Sequence, residues 1–228
     1  VARPAKGSSC TLAVSAKGGN NAENHNHNDI GSYAVALGKC TMVGDQGGPF
    51  SYPGDYFSAE APEKYKIKGS FGHPVPEVDG KTQSSGAKAS AIVLKKEFTD
   101  VKDLLCIDYT SAYSTPSLDK LVRTFVYDRQ GKGNFTVGDE FTANAPIRFE
   151  TAITTQANWK IIDDTHLLLT TGTEQMTVTI EASGKVAFTS ETIEVNSPAY
   201  KRIGISLKEQ SKDCLLYTSP SPRDRQKS

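Results

Sequence analysis

Apolar and polar residues alternate along most of the second half of the chain. Ile147, Phe149, Thr151 and Ile153 fall on one side, with Arg148, Glu150 and Ala152 on the other, the period of a half-buried β-strand. Met176, Val178 and Ile180 repeat the pattern. Ser183-Gly184 then separates them from Val186-Ala187-Phe188, which predicts a tight hairpin. Further β-rich runs cover residues 11–16, 33–43 with a turn at Gly38-Lys39, 91–98, 104–109, 121–127 and 135–137. Short strands at this spacing predict an all-β fold, a large antiparallel β-sandwich.

No window predicts a helix of more than a turn or two. The best, residues 58–65, is interrupted by Pro62, which removes a backbone donor and clashes with the preceding turn. Residues 44–86 are rich in Gly and Pro, carry several Tyr and alternate little, so they predict a long loop region of the kind that carries function on a β scaffold. From Cys214 to Ser228 the composition turns abruptly to Ser, Pro, Arg and Lys. This stretch resembles adapter or vector read-through. The expected division is therefore one β-sandwich domain over 1–213 and a non-native tail over 214–228.

With 228 residues, the chain can bury a real core. Its 26 Lys and Arg balance 26 Asp and Glu, so no net field holds a polyanion, and nucleic acid is a poor partner. No apolar run approaches the roughly 20 residues of a membrane-crossing helix. The opening VARPAKGSSC has neither an initiator Met nor a signal-peptide core and reads as the middle of a longer polypeptide. Cys10, Cys40, Cys106 and Cys214 form no Cys-x-x-Cys pair and are expected to be unpaired thiols.

One segment concentrates chemistry: Asn24-His25-Asn26-His27-Asn28-Asp29, with two of the chain's 4 His. In extended backbone His25 and His27 would project from one face roughly 7 Å apart, with Asn26 and Asn28 opposite. Neutral imidazoles are good zinc ligands, and Asp45 or Asp29 could complete a His/Asp set. The plainer alternative makes both histidines polar loop residues satisfied by neighbouring amides. A metal nuclease would need a helix behind a hairpin and a basic face, and the sequence predicts neither.

HNHNDIGSY, followed by a hairpin ending in VGDQGG and then SFGHPVPEVDGKTQ, resembles the C-terminal domain of the heparinase II/III polysaccharide lyases over residues 10–90. LVRTFVYDRQGKGNFTVGDEF resembles the following strands more loosely. The resemblance implies a bacterial, periplasmic or secreted enzyme that cleaves uronic-acid glycans by β-elimination. The cleft would lie between this domain and an α/α toroid earlier in the same polypeptide. It implies a structural zinc held by His27, Asp45 and His73, with His25 as the active-site histidine. Asn24, Asn26 and Arg123 are candidates for substrate binding, and Arg148 is a further arginine of that type. Tyr52 and Tyr56 are candidate proton-transfer groups, because some related alginate lyases use a β-domain Tyr. The Pro74-Val75-Pro76 stretch after His73 leaves the substrate open between glycosaminoglycan, alginate and other uronate glycans. The alternative to a lyase is a noncatalytic carbohydrate-binding or structural sandwich.

Overall fold

A computed structural model describes residues 1–45, 47–49, 51–58, 60–193 and 199–223. The described residues form seventeen strands, one α-helical turn and two 3-10 turns, Ser70–Gly72 and Thr110–Ala112. In chain order the strands are β1 (Leu12–Ala16), β2 (Asn20–Asn21), β3 (Tyr33–Leu37), β4 (Cys40–Val43), β5 (Glu77–Val78), β6 (Gly86–Ser90), β7 (Ile92–Phe98), β8 (Lys102–Asp108) and β9 (Leu118–Asp128). There follow β10 (Asn134–Ile147), β11 (Phe149–Thr155), β12 (Asn158–Asp163), β13 (His166–Thr171), β14 (Glu174–Ala182), β15 (Val186–Thr192), β16 (Lys201–Leu207) and β17 (Ser211–Pro222). The α1 turn (Ala61–Lys64) starts with Pro62 in its first positions, where a missing N–H costs nothing.

The strands form an eight-stranded sheet in the order β12-β13-β14-β17-β10-β9-β8-β7, a four-stranded sheet β15-β16-β11-β5, a three-stranded sheet β1-β3-β4 and the pair β2-β6. Every paired strand is antiparallel, as the alternation predicts. The smaller sheets cover the large one through one core. Tyr33 of β3 lies 6.3 Å from Phe125 of β9 and 5.8 Å from Phe135 of β10 between ring centroids, and Phe141 of β10 lies 5.0 Å from Phe149 of β11. The 33–43 hairpin turns at Gly38, whose φ of 59° suits glycine. All four cysteines are free thiols.

Two expectations about the strands are corrected. Ser183-Gly184 does not close a hairpin: β14 pairs with β13 and β17, whereas β15 crosses to the other sheet and pairs with β16. The fold also does not stop at residue 213. β17 runs between β10 and β14, and Cys214, Leu216, Thr218 and Pro220 form its buried side. Pairing with β10 ends at Thr218, so Pro220 and Pro222 sit where β17 has a partner on one side only, which a residue without an N–H tolerates. Residues 224–228 of the expected tail lie outside the described residues.

Two buried arginines fasten the loops of residues 26–32 and 69–76 to this scaffold. Arg123 of β9 stands opposite Asp139 of β10, and both are almost fully buried. Its Nε and Nη2 donate to the two Asp139 oxygens at 2.8 and 2.7 Å, and its Nη1 donates to the carbonyls of Gly31 and Pro74 at 2.7 and 2.8 Å. The assignment of Arg123 to substrate is thereby corrected: a guanidinium with no exposed surface and its donors committed cannot meet a glycan. Arg202 of β16 donates to the His73 carbonyl at 3.1 Å and pairs with Glu150 at 3.3 Å. Arg148 is exposed, and its backbone N–H donates to Asp79.

Candidate metal centre and adjoining cleft

The loop from β2 to β3 carries the His and Asn residues, and it is held in shape by its neighbours rather than by regular structure. Asn28 is buried, donates to Ser85 Oγ at 2.9 Å, and its carbonyl accepts from Ser70 Oγ at 2.7 Å. Gln83 grips Ile30 twice: its Oε1 accepts from the Ile30 N–H at 2.9 Å and its Nε2 donates to the Ile30 carbonyl at 2.7 Å. The turn Ser70–Gly72 that delivers His73 needs its glycines. A Cβ on Gly72 would lie 2.5 Å from the Lys66 carbonyl, and one on Gly69 would lie 2.2 Å from the Pro62 carbonyl.

This bracing sends the two histidines in different directions. His25 adopts φ 56°, a left-handed conformation uncommon for residues other than Gly, Asn, Asp and His. Its ring is exposed and packs edge-on against Phe57 at 5.0 Å between centroids. The extended reading of the segment is therefore corrected, because the turn at His25 breaks the alternation that would have put both imidazoles on one face. His27 points inward, with its Nδ1 3.1 Å from His73 Nε2 and its Nε2 3.4 Å from the Tyr56 hydroxyl.

His73 is 1% exposed, and its Nδ1 has no hydrogen-bond partner. That nitrogen faces Asp45 at 3.4 Å and Asp29 at 3.9 Å. Ligand atoms of Asp29, Asp45 and His73 all lie within 4.8 Å of one another. A buried nitrogen left unpaired before two carboxylates, with a second imidazole alongside, is a donor set suited to zinc, so the residues fit a metal ion. Asp45 and His73 meet as the resemblance implies. Asp29 joins them, while His27 lies against the other nitrogen of His73. Lys17 also pairs with Asp29, and the Gly47 N–H donates to Asp45 at 2.8 Å.

Charge and burial shape the titration of the site. Burial, reinforced by the nearby His73, lowers the His27 pKa from 6.5 to about 4. Burial would by itself raise the Asp45 carboxyl, but the imidazole of His73 facing it and the Gly47 N–H hold it below the usual carboxylate value. His27 thus stays neutral where unfolded chain would take up a proton. In metal-free protein, stability should fall as pH drops through the window from 6.5 to about 4, because the unfolded state binds the extra proton there. Urea midpoints measured in chelator at several pH values check this. His27→Gln should flatten the slope, and an unchanged slope in that variant would assign it to another group.

The remaining candidates divide between cleft and interior. Asn24 and Asn26 line, with His25, an open cavity of about 570 Å³ that also meets Phe57 and Lys68. Tyr52 is 56% exposed and packs against Tyr56 and Phe57 at 5.2 and 5.3 Å. Tyr56 is only 1% exposed with its hydroxyl towards His27. Its expected place in the cleft is corrected, because the 52–57 segment folds its ring beneath the surface. Sequence reasoning missed Lys68, Gln83 and Arg202; of these Lys68 and Gln83 lay in the 44–86 stretch whose pattern had drawn notice.

No family model matches the sequence, and no curated protein matches it. Solved structures do. Heparan sulfate lyase HepC from Pedobacter heparinus superposes with a TM-score of 0.75 at 18% identity, covering 95% of this chain and 34% of that one. A heparinase III gene product superposes with a TM-score of 0.71 at 14% identity over 93% of this chain and 33% of its own. The fold is that of these lyase structures. A further heparinase III structure agrees, with a TM-score of 0.68 at 16% identity. The chain spans about a third of the length of the solved structures it matches. No described helix is long and apolar enough to cross a membrane.

Proposed function

We propose that this chain forms one wall of the active cleft of a polysaccharide lyase that cleaves uronic-acid-containing glycans by β-elimination. The observation that carries the reading is the division within one loop. His25 opens onto the 570 Å³ cavity, while His27, two residues on, turns into the buried Asp29, Asp45 and His73 group. Elimination requires the uronate carboxylate to be neutralised, the C5 proton to be taken and the leaving O4 to be protonated. An exposed imidazole held edge-on by Phe57 is suited to the first or second act. Asn24 and Asn26 offer amide donors and acceptors beside it. The groups for the remaining acts would come from the other wall, an α/α toroid in the same longer polypeptide, exported from a bacterial cell.

Zinc, when bound, would be held by Asp45 and His73 with His27 or Asp29, and would supply structural order to the loops beside the cleft. His27, Asp45 and His73 lie far apart in sequence, so a common ligand ties residues 27, 45 and 73 together at a point where regular structure is sparse.

The test is the ultraviolet absorbance of unsaturated ends, measured on glucuronate, iduronate and mannuronate glycans. The longer polypeptide carrying this chain should cleave at least one of them. This chain alone should be orders of magnitude slower, since groups on both walls must be held in register. Absence of cleavage by the longer polypeptide on every uronate glycan would sink the reading and favour a noncatalytic sandwich.

A further inference from the structure

The cavity beside His25 holds a cation that the lyase reading does not use. Lys68 is 6% exposed yet lines this cavity. Its ammonium donates to the Tyr56 carbonyl at 2.5 Å and lies 5.0 and 5.2 Å from the ring centroids of Tyr56 and Phe57. Burial lowers its pKa, and among the described residues no acidic side chain offsets that effect. A lysine ammonium has three donors, and a buried cation without an anion is costly. Something at this position must favour keeping it.

The backbone of Lys68 is as firmly placed as its head group. Its N–H donates to the Tyr65 carbonyl at 2.9 Å, and its own carbonyl accepts from the Asn28 N–H at 3.0 Å. Lys68 is therefore fixed to the loop that presents His25, and Phe57 touches both side chains. One carboxylate, Glu23, also lines the cavity, but its residue is exposed, whereas the ammonium is enclosed by aromatic rings.

We propose that Lys68 is an anion-binding residue of this cleft, pairing with an acidic group of the glycan and so fixing which sugar ring stands before His25. The chemistry is an ammonium meeting a carboxylate or sulfate oxygen. Cation–π contact with Tyr56 and Phe57 holds the ammonium when no glycan is present. The inference rests on the glycan-cleft reading above and adds the recognition element that reading lacks, in a chain without net charge to attract a polyanion.

The test uses the whole 228-residue chain and three oligosaccharides of equal length: an unsulfated uronate, a sulfated one with its carboxyls reduced, and a neutral one. Binding is measured by titration calorimetry. Lys68→Met keeps the aliphatic stem and removes the charge. It should weaken binding of at least one acidic probe by about 10-fold or more, leave the neutral probe unchanged, and be rescued by Lys68→Arg. The probe that loses affinity identifies carboxylate or sulfate as the partner. Because Lys68→Met could fail to fold, nitrogen NMR of the wild-type ammonium provides an independent reading: its resonance should move when the same probe is added. A folded Lys68→Met that binds both acidic probes like wild type, or a Lys68 resonance that ignores a probe the protein binds, overturns the assignment and leaves the cleft intact. Failure of the wild type to bind either acidic probe overturns the cleft reading together with it.

Discussion

Replacing Arg123 with Ala should cost about 3–5 kcal/mol of folding stability. The arginine has no exposed surface, and Asp139 opposite it is 1% exposed. Removing the guanidinium leaves a carboxylate in the core with only the hydroxyls of Tyr109 and Thr151 as donors, both at 3.0 Å. The carbonyls of Gly31 and Pro74 lose their donor at the same time. Because those carbonyls belong to the loops on either side of the metal group, the damage should reach the site: metal affinity should fall along with the urea midpoint. Lys would not substitute, since an ammonium cannot reproduce the two parallel bonds to Asp139. The double replacement Arg123→Met with Asp139→Leu should recover much of the stability, because no unpaired charge remains, while still lacking the ties to Gly31 and Pro74. Equal urea midpoints for wild type and Arg123→Ala would mean that the ion pair is not what holds β9, β10 and the two loops together.

That pair also shows what the sequence could disclose and how it was misread. Arg123 keeps phase with Leu121, Phe125 and Tyr127, all buried, and Asp139 keeps phase with Phe135, Val137 and Phe141. Strict alternation therefore points both charges inward. The expectation of a glycan partner set residue type above phase. The alternation in the tail was overlooked in the same way. Cys214, Leu216, Thr218 and Pro220 carry a period of two, but a Ser- and Pro-rich composition concealed it. Periodicity shows which face is buried and leaves the partner open, and so β14 and β15 looked like a hairpin although they belong to different sheets.

The site was legible where a short motif fixes local geometry and illegible where geometry depends on distant contacts. Asp45 and His73 are placed together by the hairpin of β3 and β4 and by the glycine-dependent turn before His73, and both appear in the sequence as compact signals. Asp29 enters the group because Gln83, some fifty positions away, clamps Ile30 from both sides. No periodicity encodes such a clamp. Lys68 escaped notice because a lysine in a loop is ordinarily solvated, and only the folding of Tyr56 and Phe57 over it reveals its burial.

His73→Ala and His25→Ala should separate structure from chemistry at opposite ends of the proposed site. His73 supplies the buried nitrogen that faces both carboxylates, so its removal should take the metal content of dialysed protein from about one ion per chain to none. With free metal at about 1,000 times its dissociation constant, the wild type gains about 4 kcal/mol from binding, and His73→Ala should lose that increment and become insensitive to chelator. His25 is exposed, contacts Phe57 rather than the carboxylate group, and should be replaceable without loss of metal or change in chelator response. In the longer polypeptide, however, His25→Ala should abolish formation of unsaturated ends on a uronate glycan, because the group facing the sugar is gone while the scaffold stands. A zinc that acted on the substrate would tie activity to metal content alone and leave the His25 variant active. A noncatalytic sandwich would show no activity to lose in either variant. Full activity in a folded, metal-replete His25→Ala protein rejects its place at the reacting sugar, and metal loss in that variant moves His25 from the cleft into the metal group.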